Sequence, residues 1–565
     1  MWGFVAKHRT IPSILRVLRG TVLSFPTFPN TVPSTNTQQH QHLALAYGGI
    51  DIIGGKISGI GAKYNKLIHL FAKRNIFVKH WLFVINMRLA KIFDFLSLFF
   101  VSSIAGGGRA YCDNISVFSI DSLYSSGLPV LFIDLNNNEF PTADRIDHPV
   151  GCVGGTITNC TTVNGRAYMV YNKVDTLYDS GRYLKDVSGI SLRIRGNGSG
   201  RREKAAYKLK LEKKADLISG DNTFKDKNWL LKFDQNMFPH IIPTLKINEL
   251  IGMSWTPRYK WVHVMLNQKY WGLYQIHESL RRNPGARIDV GKTGYIVEYD
   301  AYWWNEDVYF ETPYHNICEF MKYTFKYPDP DEITADQYSY VQESISSVEK
   351  SLYNGTYDNF MDVESFARWL LAHDILGSHD AAGSNMFLIK YDNSKNSKVK
   401  MVCLWDYDTI MQSKDSWSAS HNFFYFPLLF SSSNKKFIKT YIDIWNREGA
   451  AIIDSTINYL KTYKTSKEGQ ILKKSLELNH DRWSWLPVDF DDYLNNTIQW
   501  LEERKVWMDN EISALQSTLS CDSVADETNS VEDIRYYDIL GREVENPHGR
   551  IIKKSLDGRY GIVVY

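Results

Sequence analysis

Apolar and polar residues alternate with a period of two over much of the chain between residues 112 and 280. Short apolar segments such as LPVLFIDL and GRAYMVYNK are separated by turns rich in Asn, Gly and Asp. In the segment AAYKLKL, Tyr207, Leu209 and Leu211 share one face of a strand, and Lys208 and Lys210 share the other. This pattern predicts a small β-sandwich over residues 112–187, followed by further β-hairpins.

Later segments have the period of amphipathic helices. A capping box at Thr334 and Gln337 begins one helix, whose apolar positions recur every three or four residues: Val341, Ile345, Val348 and Leu352. A second helix begins at Asp362 and runs through FARWLLAHDILG, and a third spans about Phe490 to Leu515. Strands followed by helices predict an α+β fold.

The chain before residue 112 has a different pattern. Residues 1–86 show no sustained period and are predicted to be poorly structured; the alternative is that translation starts at Met87. From Met87, a basic MRLAK, an apolar IFDFLSLFFVSSI and a small-x-small site predict a signal peptide over residues 87–110. A membrane anchor is the alternative, but about 13 apolar residues are too few for a bilayer core of roughly 30 Å. Cys112 raises the further alternative of a lipid anchor.

Charge is distributed unevenly along the chain. The first 111 residues carry 13 Lys and Arg against 2 Asp and Glu, whereas the whole chain has a net charge of only +2. The remainder is therefore mildly acidic and has no basic footprint for nucleic acid. The signal peptide predicts an exported protein, located in the periplasm, on the cell surface or outside the cell. Its contact with the membrane would be limited to the signal peptide or a lipid anchor.

Residues 374–408 contain groups suited to phosphoryl transfer. That reaction needs a carboxylate to accept a hydroxyl proton, an amide oxygen beside it for Mg²⁺, and a carboxylate that bridges the metal to the phosphates. Asp380 and Asn385 have the spacing of the protein-kinase catalytic loop, and the segment VKMVCLWDYD ends in Asp406 and Asp408. Each residue alone is also typical of an ordinary turn. Their combination in this order favours a functional site.

A glycine-rich turn lies upstream of these residues. The strand ISLRIR leads into Gly196, Gly198 and Gly200, and the strand containing Lys208 and Lys210 follows. Glycines allow a backbone to approach phosphates closely, and a lysine on the return strand can neutralise their charge. A hairpin without a ligand is the alternative. Further along, Glu249 on a helix could brace a strand lysine, and Glu278 lies where a nucleotide-contacting linker would begin.

Several segments together resemble a known family. RIRGNGS with KAAYKLKL, KNWLLKFD, TPRYKWVHVMLNQKYWGLYQIHES, GSHDAAGSNMFLIK and CLWDYD are similar, in the same order, to segments of the CotH family. This family is named for a bacterial spore-coat protein and regarded as a group of atypical, secreted-type protein kinases. The resemblance covers about Ile190 to Leu515. It implies a divergent two-lobed protein-kinase-like domain over residues 188–515 that uses ATP and Mg²⁺ to phosphorylate serine on a protein partner.

The resemblance also implies roles for individual residues. Asp380 would be the catalytic carboxylate, and the metal ligands would be Asn385, Asp406 and Asp408. Candidate nucleotide contacts are Arg195, Gly196, Lys208, Lys210 and Glu278, with Lys210 favoured over Lys208 because it lies deeper in its strand. The sequence departs from better-known kinases in having no phenylalanine-glycine after Asp406.

The C-terminal end is predicted to contain a linker over residues 516–530 and a β tail over residues 531–565. Through YDILGREV and RYGIVVY, the tail resembles the small C-terminal β-domain of many secreted Bacteroidetes proteins. Two alternatives to an exported kinase stay open: a kinase-like module that scaffolds surface proteins without catalysis, and an enzyme that transfers AMP. The partner in each case is an exported or surface protein, which the sequence does not name.

Overall fold

The structure, a computed structural model, describes most of the chain from residue 119 onward. The described ranges are 119–146, 157–196, 199–233, 239–314, 321–381, 385–431, 434–486, 489–528, 535–537, 550–554 and 560–564. The predicted segment 1–86, the predicted signal peptide 87–110 and Cys112 lie outside them. No helix in the described ranges is both long enough and apolar enough to cross a membrane.

Helix α1 (Ile120–Ser125) is followed by ten strands, eight of which form one sheet. The strands are β1 (Val130–Leu135), β2 (Ala143–Ile146), β3 (Ile157–Cys160), β4 (Thr162–Tyr171), β5 (Asp175–Asp179), β6 (Ile190–Arg195), β7 (Ala206–Ala215), β8 (Asp226–Lys232), β9 (Tyr259–Leu266) and β10 (Lys269–Glu278). Their order in the sheet is β1-β9-β10-β8-β7-β6-β4-β5, while β2 and β3 pair separately. Because β1 pairs with both β9 and β4, the sheet closes into a barrel.

The strands predicted to form a separate sandwich over residues 112–187 belong to this barrel. Strand β4 pairs with β6 through Thr162↔Arg193 and its neighbours. Alternate side chains of β4, including Val163 and Met169, are buried in the same core as Leu192 and Trp229. The apolar face of β4 is therefore covered by later strands of the chain, and the boundary predicted at residue 187 divides one sheet.

Helix α2 (Ile241–Leu250) connects β8 to β9, and a second sheet of five strands follows the barrel. Its strands are β11 (Tyr295–Asp300), β12 (Tyr309–Phe310), β13 (Lys322–Tyr327), β14 (Met386–Lys390) and β15 (Lys400–Met401). Between β13 and β14 the chain forms the helices α3 (Ala335–Tyr353) and α4 (Val363–Leu376). The order is β12-β13-β11-β14-β15. Strand β15 is much shorter than the VKMVCLWDYD segment suggested, because the backbone of Leu404 donates to the side chain of Asn248 on α2 and not to a strand.

The predicted helix start signals are confirmed. The backbone N–H of Gln337 donates to Thr334 Oγ1 at 3.2 Å, and the N–H of Thr334 donates to Gln337 Oε1 at 2.9 Å. The predicted apolar positions of α3 are all buried. The side chain of Asp362 caps α4, which ends at Gly377 in the left-handed conformation.

The remaining helices pack with the second sheet around one large core. They are α5 (Phe426–Leu429), α6 (Lys435–Ile444), α7 (Ala450–Thr465), α8 (Lys467–Arg482) and α9 (Phe490–Thr528). Helix α9 begins where the sequence predicted but continues to Thr528, because residues 516–528 contain neither Gly nor Pro. Most of the predicted linker 516–530 is therefore helical.

Three short strands follow in the tail: β16 (Arg535–Tyr537), β17 (Arg550–Lys554) and β18 (Tyr560–Val564). They form an antiparallel sheet in which β17 is central.

Candidate active site

A cleft of about 1060 Å³ lies between the barrel and the second sheet. Strands β6, β7 and β8 supply one wall, and β11, β13 and the loops around β14 and β15 supply the other. All the site residues predicted from the sequence line this cleft except Glu278: Arg195, Gly196, Lys208, Lys210, Asp380, Asn385, Asp406 and Asp408. The fold therefore gathers residues that are more than 200 positions apart in the chain.

The loop that follows α4 holds Asp380 beside the segment that follows Asp408. The backbone N–H of His379 donates to the Thr409 carbonyl at 3.2 Å, and the N–H of Asp380 donates to Thr409 Oγ1 at 3.2 Å. Just before this loop, the N–H of Met411 donates to the carbonyl of Leu376 at 2.7 Å. These hydrogen bonds hold the loop that contains Asp380 beside the segment that contains Asp406 and Asp408.

Asn385 and Asp406 share an uncommon backbone conformation. Their φ angles are 63° and 64°, in the left-handed region that residues other than glycine rarely occupy. Such strain persists where the surrounding structure enforces it, and it is concentrated at functional sites. Near Asp406, the side chain of Asn248 ties the backbone to helix α2. Its Oδ1 accepts the Leu404 N–H at 2.7 Å, and its Nδ2 donates to the Trp255 carbonyl at 3.0 Å.

The charge of Asp406 contributes to a raised pKa at two neighbouring carboxylates, Asp380 and Asp408. Enclosure by the cleft walls, and then the charge of Asp406, raise the pKa of Asp380. Enclosure, followed by the charges of Asp406 and Asp380, raises the pKa of Asp408 to about 6 although Lys232 opposes this. The site thus concentrates negative charge, which a bound cation would neutralise.

The opposite wall concentrates positive charge. Enclosure lowers the pKa of Arg195, and Asp406 is the opposite charge that acts on it most strongly. Enclosure also lowers the pKa of Lys208, and the charges of Arg195 and Lys326 lower it further. Cations crowded in this way favour an anionic ligand such as a phosphate chain.

Lys232, at the end of β8, is a site residue that sequence reasoning missed. It lines the cleft although it is only 6% exposed. Its ammonium lies 4.7 Å from the ring centroid of Tyr407 and 5.1 Å from that of Trp405, the residues that flank Asp406. The available signal was a single lysine in the otherwise apolar segment WLLKF, since a buried cation requires a specific reason.

Glu278 corrects the sequence prediction. Its side chain is fully buried, and it accepts the Arg258 backbone N–H at 2.9 Å. Its other oxygen lies 3.7 Å from Arg287 Nε. The carboxylate lies beside these arginines at the end of β10 and does not line the cleft. Glu249 is also outside the cleft, exposed and paired with Lys246 at 2.9 Å.

The residues fit a magnesium ion that is held jointly with phosphates. The described part of the chain has no cluster of three or more His, Cys, Asp or Glu side chains arranged as a metal cage. Mg²⁺ rarely uses such a cage: it keeps several waters and binds through one or two carboxylates plus substrate phosphates. The oxygen ligands of Asn385, Asp406 and Asp408 and the mutual repulsion of the carboxylates match that mode.

Comparison with known protein families identifies a match over the segment that forms most of the cleft. Residues 192–508 match the model of a family described as CotH kinase protein, which is more than half of the chain. The matched segment begins in β6 and ends in α9, so it includes every residue that lines the cleft except Cys160. No curated protein matches the chain significantly.

Proposed function

This chain belongs to the CotH kinase family, and we propose that it transfers the γ-phosphate of ATP to a serine hydroxyl of an exported or surface protein, with Mg²⁺. The observation that carries the proposal is the cleft itself, in which a basic wall containing Arg195, Lys208 and Lys232 faces the carboxylates Asp380 and Asp406. A phosphate chain with Mg²⁺ has the complementary charges for both walls.

The chemistry follows from the positions of these groups. The acceptor oxygen forms a bond to the γ-phosphorus while the bond from that phosphorus to the β-phosphate oxygen breaks, and ADP leaves. Asp380 accepts the proton of the acceptor hydroxyl, and its raised pKa suits this task because a base is most effective when its pKa is near the working pH. Bound Mg²⁺, held by Asn385, Asp406 and Asp408, would supply neutralisation of the developing phosphate charge.

The barrel and the second sheet with its helices would be the two lobes of a divergent kinase-like fold. Two features support this. The glycine-rich turn joins β6 to β7, and the next strand, β8, ends in Lys232, so this lysine lies on the third strand counted from β6. In protein kinases the phosphate-binding lysine likewise lies on the third strand, after the glycine-rich loop. The acidic segment around Asp406 then meets Lys232 through Trp405 and Tyr407. Lys232 is therefore a better candidate for the phosphate-binding lysine than Lys210.

Export of the protein is part of the proposal. It is supported by the basic and apolar segments of residues 87–110 and by the resemblance of the tail to the C-terminal domains of secreted Bacteroidetes proteins. An exported enzyme of this kind would act on proteins that share its compartment.

Binding of ATP tests the site without knowledge of the acceptor. Calorimetric titration should show ATP binding that strengthens when Mg²⁺ is present. We expect Lys232→Met and Asp406→Asn each to weaken binding of the ATP–Mg²⁺ complex by about tenfold or more, since each removes a charged contact of about 1.5–3 kcal/mol.

Two exposed residues outside the cleft provide matched controls, Lys213→Met on β7 and Asp415→Asn in the loop after the acidic segment. Unchanged affinity in these controls is expected. A wild-type protein that binds no ATP would contradict the proposal and favour a scaffold that lacks catalysis.

A further inference from the structure

Lys326 occupies a β-bulge in the wall of the cleft. In the pairing of β11 with β13, Ile296 lies opposite Tyr327 and Val297 lies opposite Phe325, so Lys326 has no partner in the register. A bulge of this kind re-aims a side chain and is over-represented next to active sites. The side chain of Lys326 lines the cleft.

Glu298 holds the ammonium of Lys326 in place. Lys326 Nζ lies 2.8 Å from Glu298 Oε2, and the two side chains are 27% and 14% exposed. An ammonium has three donor hydrogens, so an ion pair with one carboxylate leaves donors for a ligand. The pair is thus preorganised on the cleft wall and still able to bind an anion.

The position along the strands places this pair close to the catalytic loop. Glu298 lies opposite Phe387, and Tyr299 lies opposite Met386, the residue that directly follows Asn385. Lys326 also lies near the barrel cations, because its charge acts on Lys208. Lys326 therefore faces the basic wall from the side of the second sheet.

The catalytic loop itself contains no cation. From Asp380 to Asn385 its sequence is DAAGSN. In phosphoryl transfer, negative charge is spread over three equatorial oxygens of the transferred group, and positioned cations that stabilise it lower the barrier. Arg195, Lys208 and Lys232 all reach the cleft from the barrel. Besides bound Mg²⁺, a cationic side chain on the side that carries Asp380 would therefore have to come from another element.

We infer that Lys326 is that cation and that it contacts the phosphoryl group during its transfer. This inference rests on the proposed function. In a kinase-like enzyme with a cation in the catalytic loop, β13 would not need to supply the cation that contacts the phosphoryl group. Here β13 supplies it, which explains why the bulge turns a lysine into the cleft. If Lys326 served only to neutralise Glu298, its removal would alter stability and leave the reaction rate of the folded protein unchanged.

The rate of ADP formation from ATP and Mg²⁺ tests this role for any acceptor, including water. We expect Lys326→Met to lower kcat by about 100-fold, the usual effect of removing one such group. The matched control is Lys322→Met. Lys322 is on the same strand and pairs with Glu311 at 3.1 Å, but it does not line the cleft, so its kcat should stay near the wild-type value.

A second variant separates the rate from stability. Lys326→Met leaves Glu298 without its partner, whereas the double variant Lys326→Met/Glu298→Gln removes both charges and is expected to unfold at a temperature closer to wild type. A kcat that is low in both variants supports the inference. A kcat equal to wild type in either folded variant overturns it. Wild-type protein that forms no ADP would overturn the proposed function and the inference with it.

Discussion

Asp408 combines a functional position with a cost in stability. Its pKa is raised from 3.8 to about 6 by enclosure and by Asp406 and Asp380. The folded protein therefore binds this proton more tightly than the unfolded chain does, so the free energy of unfolding falls as the pH rises from about 4 to above 6. Ionisation of Asp408 at neutral pH therefore occurs at the expense of the fold.

Replacing Asp408 should stabilise the protein in metal-free buffer. We expect Asp408→Asn to increase the free energy of unfolding by about 3 kcal/mol at pH 7, with the gain disappearing by about pH 3, where Asp408 is protonated in both states. Urea denaturation at several pH values with a chelator present measures this. Asp415→Asn, at an exposed position outside the cleft, is the matched control and should change the free energy of unfolding little. A gain that persisted in full at about pH 3 would show that the carboxylate charge is not its cause.

Glu278 should behave as a structural residue. We expect Glu278→Ala to lower the free energy of unfolding by about 2–3 kcal/mol, because it removes one of the two carboxylates that face the buried Arg287, Asp226 being the other, and also the acceptor of the Arg258 N–H. The affinity of the folded variant for ATP should be close to that of the wild type, because this carboxylate does not line the cleft. Chemical denaturation and calorimetry measure the two effects. A variant of normal stability that binds ATP weakly would restore the role predicted from the sequence.

The sequence identified most individual site residues but not their surroundings. Asp380, Asn385, Asp406 and Asp408 stood out because spacing and polar chemistry are local properties of the chain. The burial of Glu278 and the positions of Lys232 and Lys326 on the cleft walls depend on strands that are distant in sequence. Those properties required the folded structure.

At the scale of elements, α2 fixes the acidic segment through Asn248. This side chain is fully buried and connects the segment around Leu404 to the backbone at Trp255. The backbone of Val402 still donates to Phe387 on β14 at 3.2 Å, whereas residues 403–407 belong to no strand. The Asn248 amide therefore takes the place of a neighbouring strand at Leu404, two residues before Asp406.

Removal of the Asn248 amide should therefore affect both stability and catalysis. We expect Asn248→Ala to lower the free energy of unfolding by about 2–3 kcal/mol, since it leaves the buried Leu404 N–H and Trp255 carbonyl without this partner. Asn248→Asp keeps the acceptor for Leu404 and should retain more of the ATP-dependent activity than Asn248→Ala. Urea denaturation and the rate of ADP formation provide the two measurements. Equal loss of activity in the two variants would contradict a specific role for the Leu404 hydrogen bond.

The predicted elements were most accurate where local signals are strong. The capping box at Thr334, the Asp362 cap and the glycine-rich hairpin were each recognised from a few adjacent residues. The length of β15 was not predicted, because it depends on Asn248. The extent of α9 was not predicted either, because this helix continues through a polar segment that resembles a linker.

At the scale of the whole molecule, α8 attaches the helices to the barrel. Asn479 Oδ1 accepts hydrogen bonds at 2.9 Å from both the Leu273 N–H and the buried ammonium of Lys204. Gly272 is required at this contact, because a Cβ there would lie 2.7 Å from Asn479 Oδ1 and from Trp483 Nε1. Both walls of the cleft are thus anchored to one helical core.

This attachment predicts cooperative unfolding of the barrel and the helices. We expect one thermal transition for the wild type, and a loss of about 3 kcal/mol in Asn479→Ala, because the Lys204 ammonium loses a charge-assisted hydrogen bond. Asn495→Ala is the matched control, since Asn495 also accepts from a lysine at 2.9 Å but is exposed, and its effect should be small. Scanning calorimetry measures the unfolding transitions of the wild type and the two variants. Unfolding of Asn479→Ala at the wild-type temperature would contradict a role for this hydrogen bond in attaching the helices to the barrel.

Closure of the barrel could not be predicted from the sequence. It depends on the pairing of β1 with β9, which are more than 100 residues apart, and alternation within each strand does not indicate which strand will be its neighbour. For the same reason, the strands of residues 112–187 looked like a domain of their own.

The central claim is that this cleft transfers the γ-phosphate of ATP to a protein hydroxyl. The most direct measurement is the intact mass of the protein, and of a serine-containing protein acceptor, after incubation with ATP and Mg²⁺, with Asp380→Asn and Asp406→Asn as parallel samples. The account predicts a gain of phosphate mass in the wild-type reaction that is absent with both variants. A gain of AMP mass, or no gain by any protein in the wild-type reaction, would contradict it.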